Sequence, residues 1–194
     1  MNPREKPLIV MALESEGQGK LEALGYEVLY CGLGKVNATY HLTRRLSRAA
    51  GNVPYILNLG TAGSHSFNSG TLAAADRFIQ RDMDVTGLGF AHGETPFETE
   101  PPLIAFPRRF DHLPHGVCGS GDSFLQGPPP IPSDIIDMEA YALAKVCLRE
   151  SVPFACVKYI TDGADGAASE DWQSNLKHAA QAFITLLNAD CVAS

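Results

Sequence analysis

The chain has 194 residues with 15 Lys and Arg against 22 Asp and Glu, a net charge of −7, 45% hydrophobic and 19% charged residues. That length supports one domain, spanning 1–194, with a sizeable core of its own. The acidic balance excludes a nucleic-acid-binding surface, which needs clustered Lys and Arg to neutralise phosphates.

Short apolar, β-branched runs bounded by Gly, Pro or Asn read in order as buried strands over 8–13, 27–32, 55–60, 72–80, 102–106, 116–122 and 154–162. Helical periodicity appears over 35–50, 138–150 and 172–189, the last with Trp172, Leu176, Ala179, Ala180, Phe183, Leu186 and Leu187 in step. Strands alternating with helices, several of them without polar alternation, predict an α/β fold. It is expected to be a three-layer α/β/α domain around a central mixed, largely buried sheet. The prolines of 127–134 forbid a helix or central strand, so that passage is a surface loop, as is the Gly-, Pro- and Thr-rich stretch 84–101. Arg44, Arg45 and Arg48 read as a solvated helix face. The first apolar run, "LIVMAL", has six residues and meets Glu14 and Glu16, so it is neither a signal peptide nor a membrane span, and a cytoplasmic protein is expected.

Five Cys, at 31, 118, 147, 156 and 191, make no C-x-x-C pair and read as reduced core thiols. His112 and His115 have metal-ligand spacing without a convincing third ligand, so they read as surface histidines and no metal or cofactor is expected. "GLGKVN" follows the second strand, not the first, and Pro54 stands where a dinucleotide site needs an acid; a tight turn into a helix explains its glycines. "GSGDSF" is not a nucleophile elbow, because Asp122 stands two residues after Ser120.

The acids at strand ends remain. Sites in open α/β sheets gather at the carboxyl ends of strands, and Asp162 closes a run, "FACVKYITD", that reads as a central strand. Taken alone, Asp162 is equally an Asp bonding turn amides, Glu139 a first-turn acid favoured by the helix dipole, and Asp137 a helix cap outside any site.

Seven stretches in order, "MALESE", "CGLGKVNAT", "NLGTAG", "DMDVTGLGF", "SGDSF", "DMEAYALA" and "VKYITDGAD", resemble the nucleoside phosphorylase superfamily. Within it they are most similar to the 5'-methylthioadenosine/S-adenosylhomocysteine nucleosidases. The resemblance implies a nucleoside phosphorylase-like fold and an N-glycosidase that cleaves a 5'-substituted adenosine with water. It further implies no cofactor, and a homodimer in which the long loop of one subunit closes the other's pocket. Carried over by position, Asp162 is the acid at purine N7 and Glu16 the base that activates water, with Glu14 the alternative if the loop register slips. Glu139 holds the ribose 2' and 3' hydroxyls and Met138 packs on the sugar. Phe124 stacks on the base, the Leu125 backbone reads its edge, Thr61 and Lys158 line the water and ribose region, and Ser120 supports that floor.

Those residue types suit the chemistry. Glycosidic cleavage builds positive charge on the sugar and negative charge on the leaving base, so a carboxylate at the ribose and an acid at the purine both favour the transition state. One acid must hold a proton and another stay ionised, which requires different surroundings. Phosphate as the nucleophile is disfavoured, because a carboxylate about 4 Å from a single phosphate charge costs roughly 4 kcal/mol at an effective dielectric of 20. Phosphorolysis, a futalosine-type nucleoside as substrate and a nucleoside-binding protein without turnover remain the alternatives. Lys158 stands where many relatives carry Arg, keeping the charge but losing the bidentate fork. The chain is short between "GTAGS" and the next strand and before "DMEA".

Overall fold

The computed structural model describes residues 6–49, 53–125, 127–163 and 168–193, apart from the side chains of 168–174 and 190–193. The turn 164–167 and the side chains of Trp172 and Cys191 therefore lie outside the described residues.

Eight strands form one mixed sheet: β1 (Leu8–Met11), β2 (Glu27–Tyr30), β3 (Ile56–Gly63), β4 (Leu72–Gln80), β5 (Leu103–Ala105), β6 (His115–Ser120), β7 (Ile135–Asp137) and β8 (Phe154–Asp162). Its path runs β2-β1-β3-β7-β6-β4-β5, and β8 bridges β3 and β4. The pairings β3–β8, β8–β4, β4–β6, β6–β7 and β7–β3 close five strands into a ring. Closure removes the free edges of those strands and fixes where their ends converge.

The helices are α1 (Glu14–Gly17), α2 (Lys20–Ala23), α3 (Lys35–Ala49), α4 (Ala140–Arg149) and α5 (Ala168–Ala193). Helices α3 and α4 pack together over one face, and α5, with α1 and α2, covers the other. Strand alternation sorts the core accordingly. Leu8 and Val10 of β1 join Ala38, Leu42, Leu143 and Phe154 on the α3/α4 side, whereas Ile9 and Met11 join Leu57, Val157 and Phe183 under α5. With both faces covered, no strand of the ring needs polar alternation; β8 is buried along all nine residues.

The layers and most elements match the sequence reading, with three differences. Ile135–Asp137 is a strand, β7, too short for any period to show, so helix α4 starts at Ala140 with Glu139 as its cap residue, not at 138. The turn after β1 folds into two single-turn helices. Strand β3 runs on to Gly63.

The four described cysteines are free and buried. Arg44 and Arg48 are exposed and Arg45 pairs with Glu27 at 2.7 Å. His112 is exposed, but the His115 side chain is tucked in, with Nδ1 3.7 Å from Asp76; its place at the start of β6 draws it under the 108–113 turn. No described helix is long and apolar enough to cross a membrane.

Phe78 sits fully buried where β4 meets the α3/α4 layer, edge-on to Phe154 at 5.2 Å and Phe106 at 6.3 Å between ring centroids. Phe78→Ala is expected to lower unfolding free energy by about 3–5 kcal/mol, from lost burial and the cavity left behind. Urea denaturation followed by circular dichroism measures it.

Candidate active site

Three polypeptide ends meet at the top of the strand ring. Beyond β1, the chain turns at Leu13 into α1, and Glu16 folds back so that its Oε2 accepts the Leu13 amide at 3.0 Å. Its Oε1 accepts both the Thr61 amide and the Thr61 hydroxyl at 2.8 Å. Three donors and 3% exposure lock this carboxylate against β3. Glu14, two residues earlier, is exposed, so the alternative register places no carboxylate in the cavity.

Asp162 is the last residue of β8. A register shift after Ala62 sets it opposite Gly63 of β3, and its carbonyl accepts the Ser64 amide at 3.0 Å. The Thr161 hydroxyl donates to its Oδ2 at 2.7 Å, and only 4% of the residue is exposed. A carboxylate at a bulged strand end is thus turned toward the space between β3, β7 and β8.

The third end is the β7–α4 turn, Asp137-Met138-Glu139. Asp137 accepts the Ala140 amide, the first of α4, at 2.8 Å, so it bonds the helix start as a cap would although Glu139 occupies the cap position. It also bonds the Ser120 hydroxyl and forms an ion pair with Lys158 Nζ at 2.8 Å, the two side chains being 1% and 2% exposed. Ser120 in turn accepts the Tyr141 amide at 2.8 Å. Burial opposes the Asp137 charge, but Lys158, Ser120 and the Ala140 amide outweigh it and keep the carboxyl below its usual range. Lys158, likewise opposed by burial, is raised by Asp137.

Glu139 Oε1 accepts the Gly34 amide at 2.8 Å. Burial first, and then the neighbouring Asp137 charge, push its carboxyl up from 4.5 to about 7, against the opposing pull of Lys158 and the Gly34 amide.

Glu16, Thr61, Phe124, Met138, Glu139 and Asp162 wall one cavity of about 330 Å³, a size suited to a small-molecule ligand. A larger groove of about 1140 Å³ runs over α3 and α4. It is more open and lacks this convergence of buried carboxylates, so the smaller cavity is the candidate site. One expected lining residue is displaced: Lys158 lies inside β8 and stands one layer behind the wall, paired with Asp137. Ser120, at the end of β6, bonds the same Asp137 from beneath the wall. Leu125 borders only an inner recess of about 40 Å³ that shares Phe124, Met138 and Asp162 with the main cavity.

Over residues 18–189 the chain matches the family profile described as the Phosphorylase superfamily. The chain belongs to that superfamily. It is 30% identical, over 84% of this chain and 78% of the relative, to a 5'-methylthioadenosine/S-adenosylhomocysteine nucleosidase from Anoxybacillus flavithermus. A nucleosidase of the same name from Haemophilus influenzae is 30% identical over 88% of this chain and 82% of its own. Among solved structures, that of the Helicobacter pylori 5'-methylthioadenosine/S-adenosylhomocysteine nucleosidase, in complex with a pyrrolidine compound, shares the fold. Its TM-score is 0.83 at 23% identity, covering 98% of this chain and 99% of that one. The futalosine hydrolase of Helicobacter pylori superposes with a TM-score of 0.82 at 23% identity, covering 97% of each chain.

Sequence reasoning missed several parts of this superfamily site. Leu33 lines the cavity and Gly34 supplies the amide to Glu139; the signal was the "GLGKVN" glycines, read only as a turn. Gly34 has φ +89, a conformation that favours glycine. Asp137 was set outside the site, yet it borders the cavity and carries the Lys158 pair. Nothing local in the sequence joins residues 21 positions apart.

Removing one partner of that pair strands a buried charge. Lys158→Met and Asp137→Asn are each expected to lose about 3–5 kcal/mol of stability, and the double variant Lys158→Met/Asp137→Leu to recover most of it. Guanidinium denaturation of the three variants checks this.

Proposed function

We propose that this chain is a purine nucleoside N-glycosidase that hydrolyses a 5'-substituted adenosine, of the 5'-methylthioadenosine/S-adenosylhomocysteine type, to free base and ribose derivative. The observation that carries the reading is the convergence of three buried carboxylates, Glu16, Glu139 and Asp162, with Phe124 and Met138 on one cavity wall.

Each group has a task consistent with its bonds. Asp162 protonates or hydrogen-bonds N7 of the departing purine, relieving the charge that builds there. Glu16 keeps one edge against Thr61 and Leu13 and orients and deprotonates the attacking water. Glu139 accepts the ribose hydroxyls while Met138 packs against the sugar. Negative charge beside the ribose favours the oxocarbenium-like state. Phe124 stacks on the base, and the Leu125 backbone meets its edge. Lys158 and Ser120 act through Asp137 by holding the turn that presents Glu139.

Water is the better nucleophile because no Lys or Arg is among the described residues that wall the main cavity, while four acids, Glu16, Asp137, Glu139 and Asp162, are. A phosphate dianion there meets repulsion with no compensating fork. The chain is proposed to act as a single domain over 1–194, in the cytoplasm, without cofactor or nucleic-acid partner, and as a homodimer. Leu88 at 74% exposure and Phe97 at 95% give the 84–101 loop apolar surface for a second copy to cover. Ion pairs of Glu98 and Glu100 with Lys145 and Arg149 brace that loop.

A panel of 5'-substituted purine nucleosides, assayed with and without phosphate and read as free base by chromatography, tests the reaction. Base release independent of phosphate is expected; release of ribose 1-phosphate refutes hydrolysis. Asp162→Asn is expected to cut turnover by roughly 10²–10⁴-fold with the circular dichroism spectrum unchanged, and wild-type turnover in that variant refutes the acid.

Glu139 sets a pH dependence. Around it stand Asp137, Lys158, Glu16 and Cys31, and its carboxyl sits at about 7. If the ionised form takes the ribose hydroxyls, kcat/KM climbs as pH rises through about 7, and Glu139→Gln is lower and loses that limb. Linkage runs the other way for the ligand-free fold. A carboxyl raised from 4.5 to about 7 contributes stability below pH 4.5 that fades as pH rises through about 7. A pH series of initial rates and melting temperatures measures both.

A further inference from the structure

Arg81, just past the end of β4, is 2% exposed, yet its bonds go to no carboxylate among the described residues. Its guanidinium donates to three oxygens of one loop instead. Nη1 reaches the Ser123 hydroxyl at 3.1 Å, and Nη2 reaches the Ser123 carbonyl at 2.6 Å and the Gly121 carbonyl at 3.2 Å. Nε has no partner among the described residues. A cation buried this way is unfavourable unless its donors are satisfied, so loop and guanidinium constrain each other. The planar fork fixes three acceptors in one relative arrangement, which a lysine ammonium does not.

Two neighbours show how closely this grip is fitted. A Cβ on Gly121 would stand 2.8 Å from Arg81 Cζ and Nη1, so the guanidinium packs against a backbone position that glycine leaves open. Asp82, the next residue, accepts the Asp122 amide at 2.9 Å, and Lys35 bridges the Asp82 and Asp122 carboxylates at 2.7 and 2.9 Å. Consecutive residues after β4 thus hold the loop from inside and outside. The next residue along, Phe124, is 50% exposed and lines the cavity. Its place depends on the anchored residues before it.

We propose that Arg81 is the positioning residue for the base end of the site, holding residues 121–123 so that Phe124 and Leu125 meet the purine. This rests on the nucleosidase reading and separates the two halves of the ligand. The sugar end, Met138 and Glu139, is held by Gly34 and the Asp137–Lys158 pair, none of which bonds Arg81; the loop touches that end through backbone amides, that of Gly121 on the Asp137 carbonyl at 3.1 Å and that of Lys35 on Asp122 at 2.8 Å.

The test compares Arg81→Met, Arg81→Lys and Gly121→Ala with wild type by KM, kcat, and inhibition by free adenine and by 5-methylthioribose. In all three variants KM and the adenine inhibition constant are expected to rise about tenfold or more, with the sugar constant changed less than about twofold. Arg81→Lys should track Arg81→Met, since the fork and not the charge is what holds the loop. Gly121→Ala keeps the charge and displaces the guanidinium, so it decides the matter if Arg81→Met does not fold. Unchanged adenine inhibition in a folded variant, or equal loss for adenine and sugar, overturns the assignment. A wild type that releases no base brings down the nucleosidase reading instead; adenine and sugar binding by calorimetry then still decides Arg81.

Discussion

The Lys158–Asp137 ion pair is the constraint on which the site depends. Lys158 lies mid-strand in β8, whose end carries Asp162, and Asp137 ends β7, whose turn carries Met138 and Glu139. Joining them fixes the distance between the acid proposed for the base and the carboxylate proposed for the ribose. Ser120 of β6 and the Ala140 and Tyr141 amides of α4 fill the remaining bonding capacity. The donors gathered on Asp137 help two charges to sit in a core that is otherwise apolar.

The pair also shapes the electrostatics in front of it. Lys158 is neutralised by Asp137, so its charge is only partly felt in the cavity, and Glu139 is left beside Asp137 in a buried setting that raises it to about 7. Glu16 meets three donors from Leu13 and Thr61 instead. Two carboxylates of similar intrinsic chemistry therefore occupy unlike surroundings, and a mechanism that asks different things of its acids needs that difference.

The ring of strands supplies the rigidity, and the loops supply the adaptability. Asp162 sits at a strand end, Glu16 and Glu139 are bonded directly to backbone amides, and Thr61 is within β3. Phe124 stands on a loop outside the strands, tethered through the residues before it. A site with a stiff sugar end and a tethered base end can hold the reacting bond in place while the loop admits and releases a flat ring.

Much of this was legible in the sequence. Apolar runs and helical periods gave the layers, because burial on both faces of a sheet leaves a pattern that local composition carries. The family resemblance carried by the ordered motifs put forward Asp162, Glu16, Glu139, Met138, Phe124 and Thr61, and the fold brings these six to one cavity. What local pattern does not carry is partnership across the chain. The closure of five strands, the three-residue β7, the Gly34 amide at Glu139 and the Arg81 grip each join positions distant in sequence. Lys158 looked like a lining residue and proved to be a buried ion-pair partner, because only the strand register sets its side chain against Asp137. The sequence by itself determined which chemical groups are present and which segments bury them; the tertiary structure decided which of those groups face the cavity and which face one another, because that depends on register and closure.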